Sequence, residues 1–429
     1  MGRRGFLAAS ALLLALSSAC TTNPVTGKVE LDLMGESQEL TLGAELYPAF
    51  IQDSLGPLDD AEVAELVAVT GQRVAAVSHR PKLPYAFTPV NDPAVNAFAL
   101  PGGKICITRG LLARLETEDA LAAVLGHEVA HVTARHAVAA YNRQVLATLF
   151  LATSAAVLEA KEVKGRELIW VGGLISTQLL LARYSRDQER QSDALGLEYA
   201  VAAGYSPQGM VETQRVLLSL GREKPSLVER LFASHPHSSE RLVAAERAVA
   251  ALPLEVQQRS LRREAYASAT ARLRQVQPAW DEAAEGQRLF AQRKLVEALA
   301  RLTRARDMAP REGVIRTLYA LALWESNERG KAREEAQQGA RLAPRVFLSR
   351  FAAGLLLLNL DPKASLDELT AAEELLPGTA QVAFFQGKAC ESLGNRPGAV
   401  AFYREALRRD PDGQIGQAAA TRLRALGAP

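Results

Sequence analysis

The chain has six histidines, and two of them stand in the run His127-Glu128-Val129-Ala130-His131. Four residues advance about 400° around an α-helix, so the two imidazoles point to one side, a turn apart, as two ligands of one ion must. Glu128 sits about 100° away, where it reaches a water beside that ion without binding the ion itself. The chemistry served by such a set is metal-assisted hydrolysis with one Zn2+ per chain: the ion acidifies a water and polarises a carbonyl, and the glutamate moves protons.

A catalytic zinc needs a third protein ligand and one open position. On a continuous helix His136, nine residues after His127, falls about 180° around the axis and is expected to face away. The longer pattern HExxHxxGxxH is absent, because Ala134 and Ala137 occupy its glycine and last histidine positions. In the segment Ser185-Arg186-Asp187-Gln188-Glu189-Arg190-Gln191-Ser192-Asp193, Glu189 and Asp193 are four apart and share a helix face. One could ligate the ion while the other accepts the second ring N–H of a zinc histidine. Spacing alone is equally compatible with a solvated charged face.

The elements that must hold these residues can also be read. The stretch from Thr117 to Tyr141 carries no proline, opens with Thr117, Glu118 and Asp119 as cap and first turn, and reads as one long helix. Tyr85–Asn91 and Lys104–Thr108 read as short strands around the turn Pro101-Gly102-Gly103, giving a small sheet on a mainly helical domain. Two apolar stretches, 145–158 and 168–182, are each too short to span a bilayer, so buried or membrane-surface helices are expected there.

Beyond Pro278 the pattern becomes a repeat. Prolines 310, 344, 377 and 411 are spaced by 34, 33 and 34 residues. Five residues before them stand Ala305, Gly339, Ala372 and Ala406; twelve before, Ala298, Ala332, Ser365 and Ala399; twenty-four before, Gly286, Ala320, Ala353 and Gly387. Small side chains at fixed phase let paired helices approach closely, and each proline stops the second helix of a pair. The fold class is therefore mainly α with a small sheet, followed by an α-solenoid of four repeats closed by a polar helix at 414–426. The division expected is a signal peptide at 1–19, a catalytic domain at 20–252, a helical linker at 253–278 and the repeats at 279–429.

The first twenty residues hold Arg3 and Arg4, an apolar run from Phe6 to Leu16, and small residues leading to Cys20, which is the pattern of an export signal. Its end resembles a bacterial lipoprotein signal with Cys20 as the lipidated residue, and Arg3-Arg4-Gly5-Phe6-Leu7 also resembles a twin-arginine signal. Fifty basic against 48 acidic residues give a net charge of +2, which supplies no field for nucleic acid; loss of Arg3 and Arg4 with the signal makes the remainder neutral. Cys106 and Cys390 are then left as two separate buried thiols.

Thr22-Asn23-Pro24-Val25-Thr26-Gly27, the run Asn96-Ala97-Phe98-Ala99-Leu100-Pro101-Gly102-Gly103, the helix HEVAHVTARH, Tyr184-Ser185-Arg186-Asp187-Gln188-Glu189, and Ser234-His235-Pro236 with Arg241 together resemble the M48 family of zinc metallopeptidases. The repeats are similar to tetratricopeptide repeats. The resemblance implies a zincin-like domain with His127, His131 and Glu189 as ligands, Asp193 beside them, Glu128 as catalytic base, and Asn96, Ala97 and Phe98 on a strand edge that holds substrate. The family usually reads ExEAD where this chain has Glu189-Arg190-Gln191-Ser192-Asp193, so Gln191 and Ser192 depart from it. His235 could stabilise an oxyanion or close the zinc site as a fourth ligand; His237 and His79 are expected at the surface. The function implied is an exported endopeptidase of the periplasm, anchored at the outer membrane through Cys20. It would act on unfolded or misassembled envelope proteins and meet the outer-membrane assembly machinery through its repeats. The alternative is a non-catalytic repeat adaptor with a latent protease domain.

Overall fold

The computed structural model describes residues 20–143, 184–223, 225–235 and 239–428. The signal peptide expected at 1–19 and the two apolar stretches within 145–182 lie outside the described residues. No helix among those described is long and apolar enough to cross a membrane.

Cys20–Thr22 (β1) and Val29–Leu31 (β2) form a short antiparallel ribbon, followed by helices Glu36–Asp53 (α1) and Ala61–Ala76 (α2). The three-stranded sheet has the order β3-β5-β4: Ala86–Val90 (β3) runs parallel to Lys104–Thr108 (β5), and Ala97–Leu100 (β4) pairs antiparallel on its other side. The Pro101–Gly103 turn joins β4 to β5 with Gly102 at φ 72° and Gly103 at φ 83°, a left-handed path that glycine takes without strain. The two strands expected around this turn form within a residue of their expected bounds, and β4 is the sheet's edge.

Behind a one-turn helix, Arg109–Leu112 (α3), comes Glu118–Thr133 (α4), the helix that carries His127, Glu128 and His131. All sixteen of its residues are buried. Leu121, Leu125 and Val129 pack with Ile105 and Ile107 of β5 and with Val67 and Val74 of α2 in one core. A helix buried on every side must find partners for its polar groups. Thr117 Oγ1 caps the Ala120 N–H, and Asp119 accepts from the backbone N–H groups of Ser206 and Arg262 at 2.7 and 2.6 Å.

The single long helix expected from Thr117 to Tyr141 is broken at Ala134–Arg135, where Arg135 takes φ 56°, and the chain is helical again over 136–143. A left-handed arginine costs on the order of 1–2 kcal/mol. Its guanidinium offsets this by donating to Asp32, Glu39 and the Met34 carbonyl, all on the N-terminal segment, while Asn23 donates to the freed Ala134 carbonyl.

Arg186–Ala202 (α5) crosses α4 backbone against backbone. A Cβ on Gly126 would lie 2.7 Å from the Gly196 carbonyl oxygen, and one on Gly196 would lie 2.7 Å from the His127 nitrogen. Gln208–Glu223 (α6), Pro225–Ser234 (α7) and Ser239–Ala250 (α8) complete the wall around this crossing.

Segment 253–278 is helical, as expected, yet it is not a spacer. It comprises Leu254–Gln257 (α9), Arg263–Ala269 (α10) and the first part of Ala271–Ala291 (α11), with Pro278 inside α11. Tyr266 and Leu273 belong to the same core as α4, and the Tyr266 hydroxyl donates to the Leu112 carbonyl. The repeats follow as hairpins of α11 with Leu295–Met308 (α12), Gly313–Glu325 (α13) with Arg329–Leu342 (α14), Phe347–Leu357 (α15) with Pro362–Leu375 (α16), and Ala380–Ser392 (α17) with Arg396–Arg409 (α18), capped by Gln414–Ala425 (α19). Each repeat proline stands two residues past the second helix of its hairpin, and all twelve small positions are buried. Cys106 and Cys390 are free and buried.

The α4–α5 crossing leaves no room for a methyl group on either chain. Gly196→Ala is expected to lower unfolding stability by about 1–3 kcal/mol and to separate the two helices that carry the site. Urea unfolding and metal content of the purified protein check this. Gly330→Ala, at a helical glycine with no atom within 4 Å of the added carbon, is the control expected to be neutral or slightly stabilising.

Candidate metal centre

Four buried side chains from three elements meet at one point. Helix α4 presents His127 and His131; α5, started by a capping box between Ser185 and Gln188, presents Glu189; and the residue after α7 presents His235. One donor atom from each lies within 4.8 Å of all the others. His127 Nε2 and His131 Nε2 are 3.0 Å apart, and His235 Nδ1 lies 3.4 Å from His127 Nε2 and 3.0 Å from Glu189 Oε1. Glu189 reaches His131 Nε2 at 3.5 Å and His127 Nε2 at 3.6 Å.

Three imidazoles and a carboxylate are donors for a divalent ion of the zinc type. Their arrangement fits a cation: two neutral imidazole nitrogens that aim lone pairs at each other across 3.0 Å repel unless a positive charge lies between them. Glu128 adds a second indication, since it is 2% exposed and its Oε2 has no hydrogen-bond partner among the described residues. A buried acceptor left free is costly unless something else occupies it.

Asp193, one turn after Glu189, lies 3.0 Å from His127 Nδ1. Arg241, on α8, donates to Asp193 from Nε at 2.8 Å and Nη2 at 2.6 Å, and its Nη1 lies 2.8 Å from Glu189 Oε2. One guanidinium thus holds the Glu189 and Asp193 carboxylates of α5 together. Burial pushes the Glu128 carboxyl up and holds His131 well below the usual imidazole range. Burial also works against the charged forms of Glu189, Asp193 and His127, but the neighbouring charges outweigh it. Glu189 and Asp193 are held below the usual carboxylate range, and His127 is raised by Asp193 and Glu189.

His136 does not face away. The break at Ala134–Arg135 removes the phase on which that expectation rested, and the ring turns back under α4 so that its Nδ1 lies 3.0 Å from His131 Nδ1. His79 is exposed, as expected, with its Nδ1 2.6 Å from the Tyr199 hydroxyl; His237 lies outside the described residues. Two neighbours had no individual role in the sequence reading. Arg241 carried only a place in the family pattern, and Tyr184, whose ring centroid is 3.9 Å from that of His131, sits on a segment with no periodicity to place it.

Among the described residues nothing pairs the outer edge of β4. The Thr108 N–H donates to the Asn96 carbonyl, so alternation along the antiparallel pair turns the backbone groups of Ala97 and Ala99 outward. Ala97 borders a small pocket that also meets Glu128, His127, Leu111, Leu217 and Phe232. Phe98 packs edge-on against Phe50 at 5.9 Å.

Residues 61–249 match the model of peptidase family M48. The beta-barrel assembly-enhancing protease of Escherichia coli (strain K12) is 26% identical over 247 residues, 57% of this chain and 50% of that protein. The mitochondrial metalloendopeptidase OMA1 of Schizosaccharomyces pombe is 35% identical over 175 residues, 40% of this chain and 48% of that one. The chain thus spans about half the length of these curated relatives. Among solved structures, a thermophilic TPR protein of Thermus thermophilus aligns with a TM-score of 0.31 at 19% identity, covering 35% of this chain and 84% of that one.

Arg241→Met would leave two buried carboxylates facing each other without their common cation. It is expected to cost about 3–5 kcal/mol of stability, measured as a fall in the urea midpoint of the metal-free protein. Arg190→Met, at an exposed pair with Asp187, is expected to change the stability by less than about 0.5 kcal/mol.

Proposed function

We propose that this chain is an exported zinc endopeptidase that cleaves unfolded or stalled cell-envelope proteins, with its repeats recruiting substrate or partner. The observation that carries the reading is the convergence of His127, His131 and Glu189 on one point, with the unpartnered Glu128 carboxylate beside them. A zinc ion held by those three side chains would polarise the scissile carbonyl and acidify the attacking water.

The chain's own residues supply the rest. Glu128, buried and shifted toward the protonated form, is suited to take a proton from water and return it to the leaving amine. Asp193 fixes His127 through its Nδ1. The outward backbone groups of Ala97 and Ala99 would hold an extended peptide as an added strand, a mode that tolerates many sequences, while the alternate residues Asn96 and Phe98 turn their backbone groups to β5. Loose sequence preference suits a protease whose substrates share unfoldedness rather than a motif.

His235 Nδ1, within hydrogen-bond distance of Glu189 and 3.4 Å from His127 Nε2, would be a fourth donor to an ion held there and would compete with a water for that position. The arrangement described is then a closed resting state, and movement of His235 away from Glu189 would free its N–H for an oxyanion. The same four-donor closure favours a second reading, a latent protease domain acting as a repeat adaptor. The printed name of the Escherichia coli relative, which refers to β-barrel assembly, supports an envelope setting. That setting is the periplasm, with lipidation of Cys20 at the outer membrane and the β-barrel assembly machinery as a partner of the repeats.

Glu128→Gln separates the two readings. It is expected to retain zinc, to cleave casein about 10²–10⁴-fold more slowly, and to fail to restore envelope integrity to cells lacking the protein. Rescue equal to wild type by this zinc-loaded variant would overturn the protease reading in favour of the adaptor.

A further inference from the structure

The two α4 imidazoles of the cluster are braced differently. His127 has its Nδ1 against the Asp193 carboxylate at 3.0 Å. For His131 the partner at Nδ1 is another imidazole, His136 Nδ1 at 3.0 Å. His136 Nε2 in turn lies 3.0 Å from Gln191 Oε1, and Ser192 Oγ lies 3.4 Å from His136 Nδ1. His136 and Ser192 are buried at 4% and 0% exposure.

One distribution of hydrogens satisfies this chain while leaving His131 Nε2 its lone pair for a cation. A neutral His131 with a bare Nε2 carries its hydrogen on Nδ1. That N–H can be donated only if His136 Nδ1 is bare, so His136 holds its hydrogen on Nε2, where the Gln191 carbonyl oxygen accepts it. The Ser192 hydroxyl approaches the same bare Nδ1, as a second donor would. With the glutamine amide turned the other way, its NH₂ would force the His136 hydrogen onto Nδ1 and set two N–H groups against each other across 3.0 Å.

We propose that His136, held by Gln191, is a positioning residue for metal binding. The buried histidine–histidine–amide relay fixes His131 in its Nδ1–H tautomer and aims Nε2 at the cluster. The inference rests on the metal-site reading above and adds residues to it. Gln191 and Ser192 are the two positions at which the segment departs from ExEAD, and both touch His136. A neutral imidazole also draws less on the His131 N–H than the Asp193 carboxylate draws on that of His127, so the two histidines are unequal donors, with His131 the less electron-rich.

The test uses the full-length chain and zinc itself, by chelator competition. His136→Phe and Gln191→Leu are each expected to weaken zinc binding about 10–100-fold. His136→Asn, whose amide oxygen stands near the place of Nδ1, is expected to recover most of that loss. Nitrogen-15 histidine spectra of the zinc-loaded wild type are expected to show His131 protonated at Nδ1. Metal-free urea midpoints of the Phe and Asn variants are expected to agree, which a merely structural role for the ring would not produce together with different zinc affinities. Should His136→Phe fail to fold, Gln191→Leu carries the comparison, because it leaves the ring in place. Unchanged zinc affinity in the Leu variant, an Asn variant no better than Phe, or a zinc-loaded His131 bonded through Nδ1 would overturn the proposal while leaving the metal site intact. A wild type that binds no zinc would overturn the metal-site reading and this one with it.

Discussion

Burying α4 on every side is the constraint to which the rest of the protease domain answers. The helix carries Glu118 and Asp119 in its first turn and His127, Glu128 and His131 in its second half, and none reaches solvent appreciably. Unpaired charges in such a place would cost more than the packing of Leu121, Leu125 and Val129 returns. The surrounding elements therefore arrive as partners. Tyr205, Ser206 and Arg262 satisfy the N-terminal carboxylates, Glu189 and Asp193 of α5, held by Arg241, face the imidazoles, and the close approach at Gly126 and Gly196 makes the second set geometrically possible. The His127–His131–Glu189–His235 cluster and a helix crossing made close by two glycines are two aspects of one arrangement.

The far end of α4 depends on a second buried group. Glu39, 1% exposed, accepts from Arg80 and from Arg135, and its Oε1 lies 3.4 Å from the Gly102 N–H. Arg80 also donates to the Val132 carbonyl in the last turn of α4, which accepts the Arg135 N–H as well. A single carboxylate on α1 thereby ties the last turn of α4, the turn beyond β4 and the N-terminal segment to one another. Removing one partner of such a buried set is expensive, because it strands the others. The registration of the β4 edge against the metal helix is set there, outside the metal centre itself.

These dependencies explain what could be read from residue order and what could not. His127, Glu128, His131, Glu189 and Asp193 are local patterns, and helical phase alone brings each group to one face. The repeats are legible for the same reason, since Ala305, Gly339, Ala372 and Ala406 recur at a fixed interval. The break at Arg135 obeys no local signal. It exists because Asp32, Glu39 and Met34 compete for the guanidinium from about a hundred residues away, and with it goes the position of His136. Arg241 and Tyr184 are placed by tertiary packing in the same manner. The segment 253–278 looks like a linker because its helices are short and polar; that Tyr266 is buried beneath Leu112 depends on α3, which no reading of the segment contains.

The join between the sheet and the repeats bears on how recruitment could reach the site. Arg109 follows β5 directly, is buried, lies with its guanidinium 3.9 Å from the centre of the Trp280 ring, and donates to Glu312 Oε2 at 3.1 Å. Trp280 Nε1 donates to the same oxygen. Burial lowers the Arg109 pKa to about 10, with Glu312 and, more weakly, Asp60 working the other way. Nearby, Gln52 of α1 bonds the Arg345 carbonyl and the Phe347 N–H at the start of the third hairpin. The first three repeats are therefore fastened to the sheet whose other edge is β4, and to the helix whose Glu39 fixes that edge. A flexible tether would only raise the local concentration of a captured chain. A fastened solenoid would do more under the function proposed above, because it would give a captured chain a fixed direction of approach to the Ala97–Ala99 edge, with Arg109 as a direct link between the repeats and the sheet.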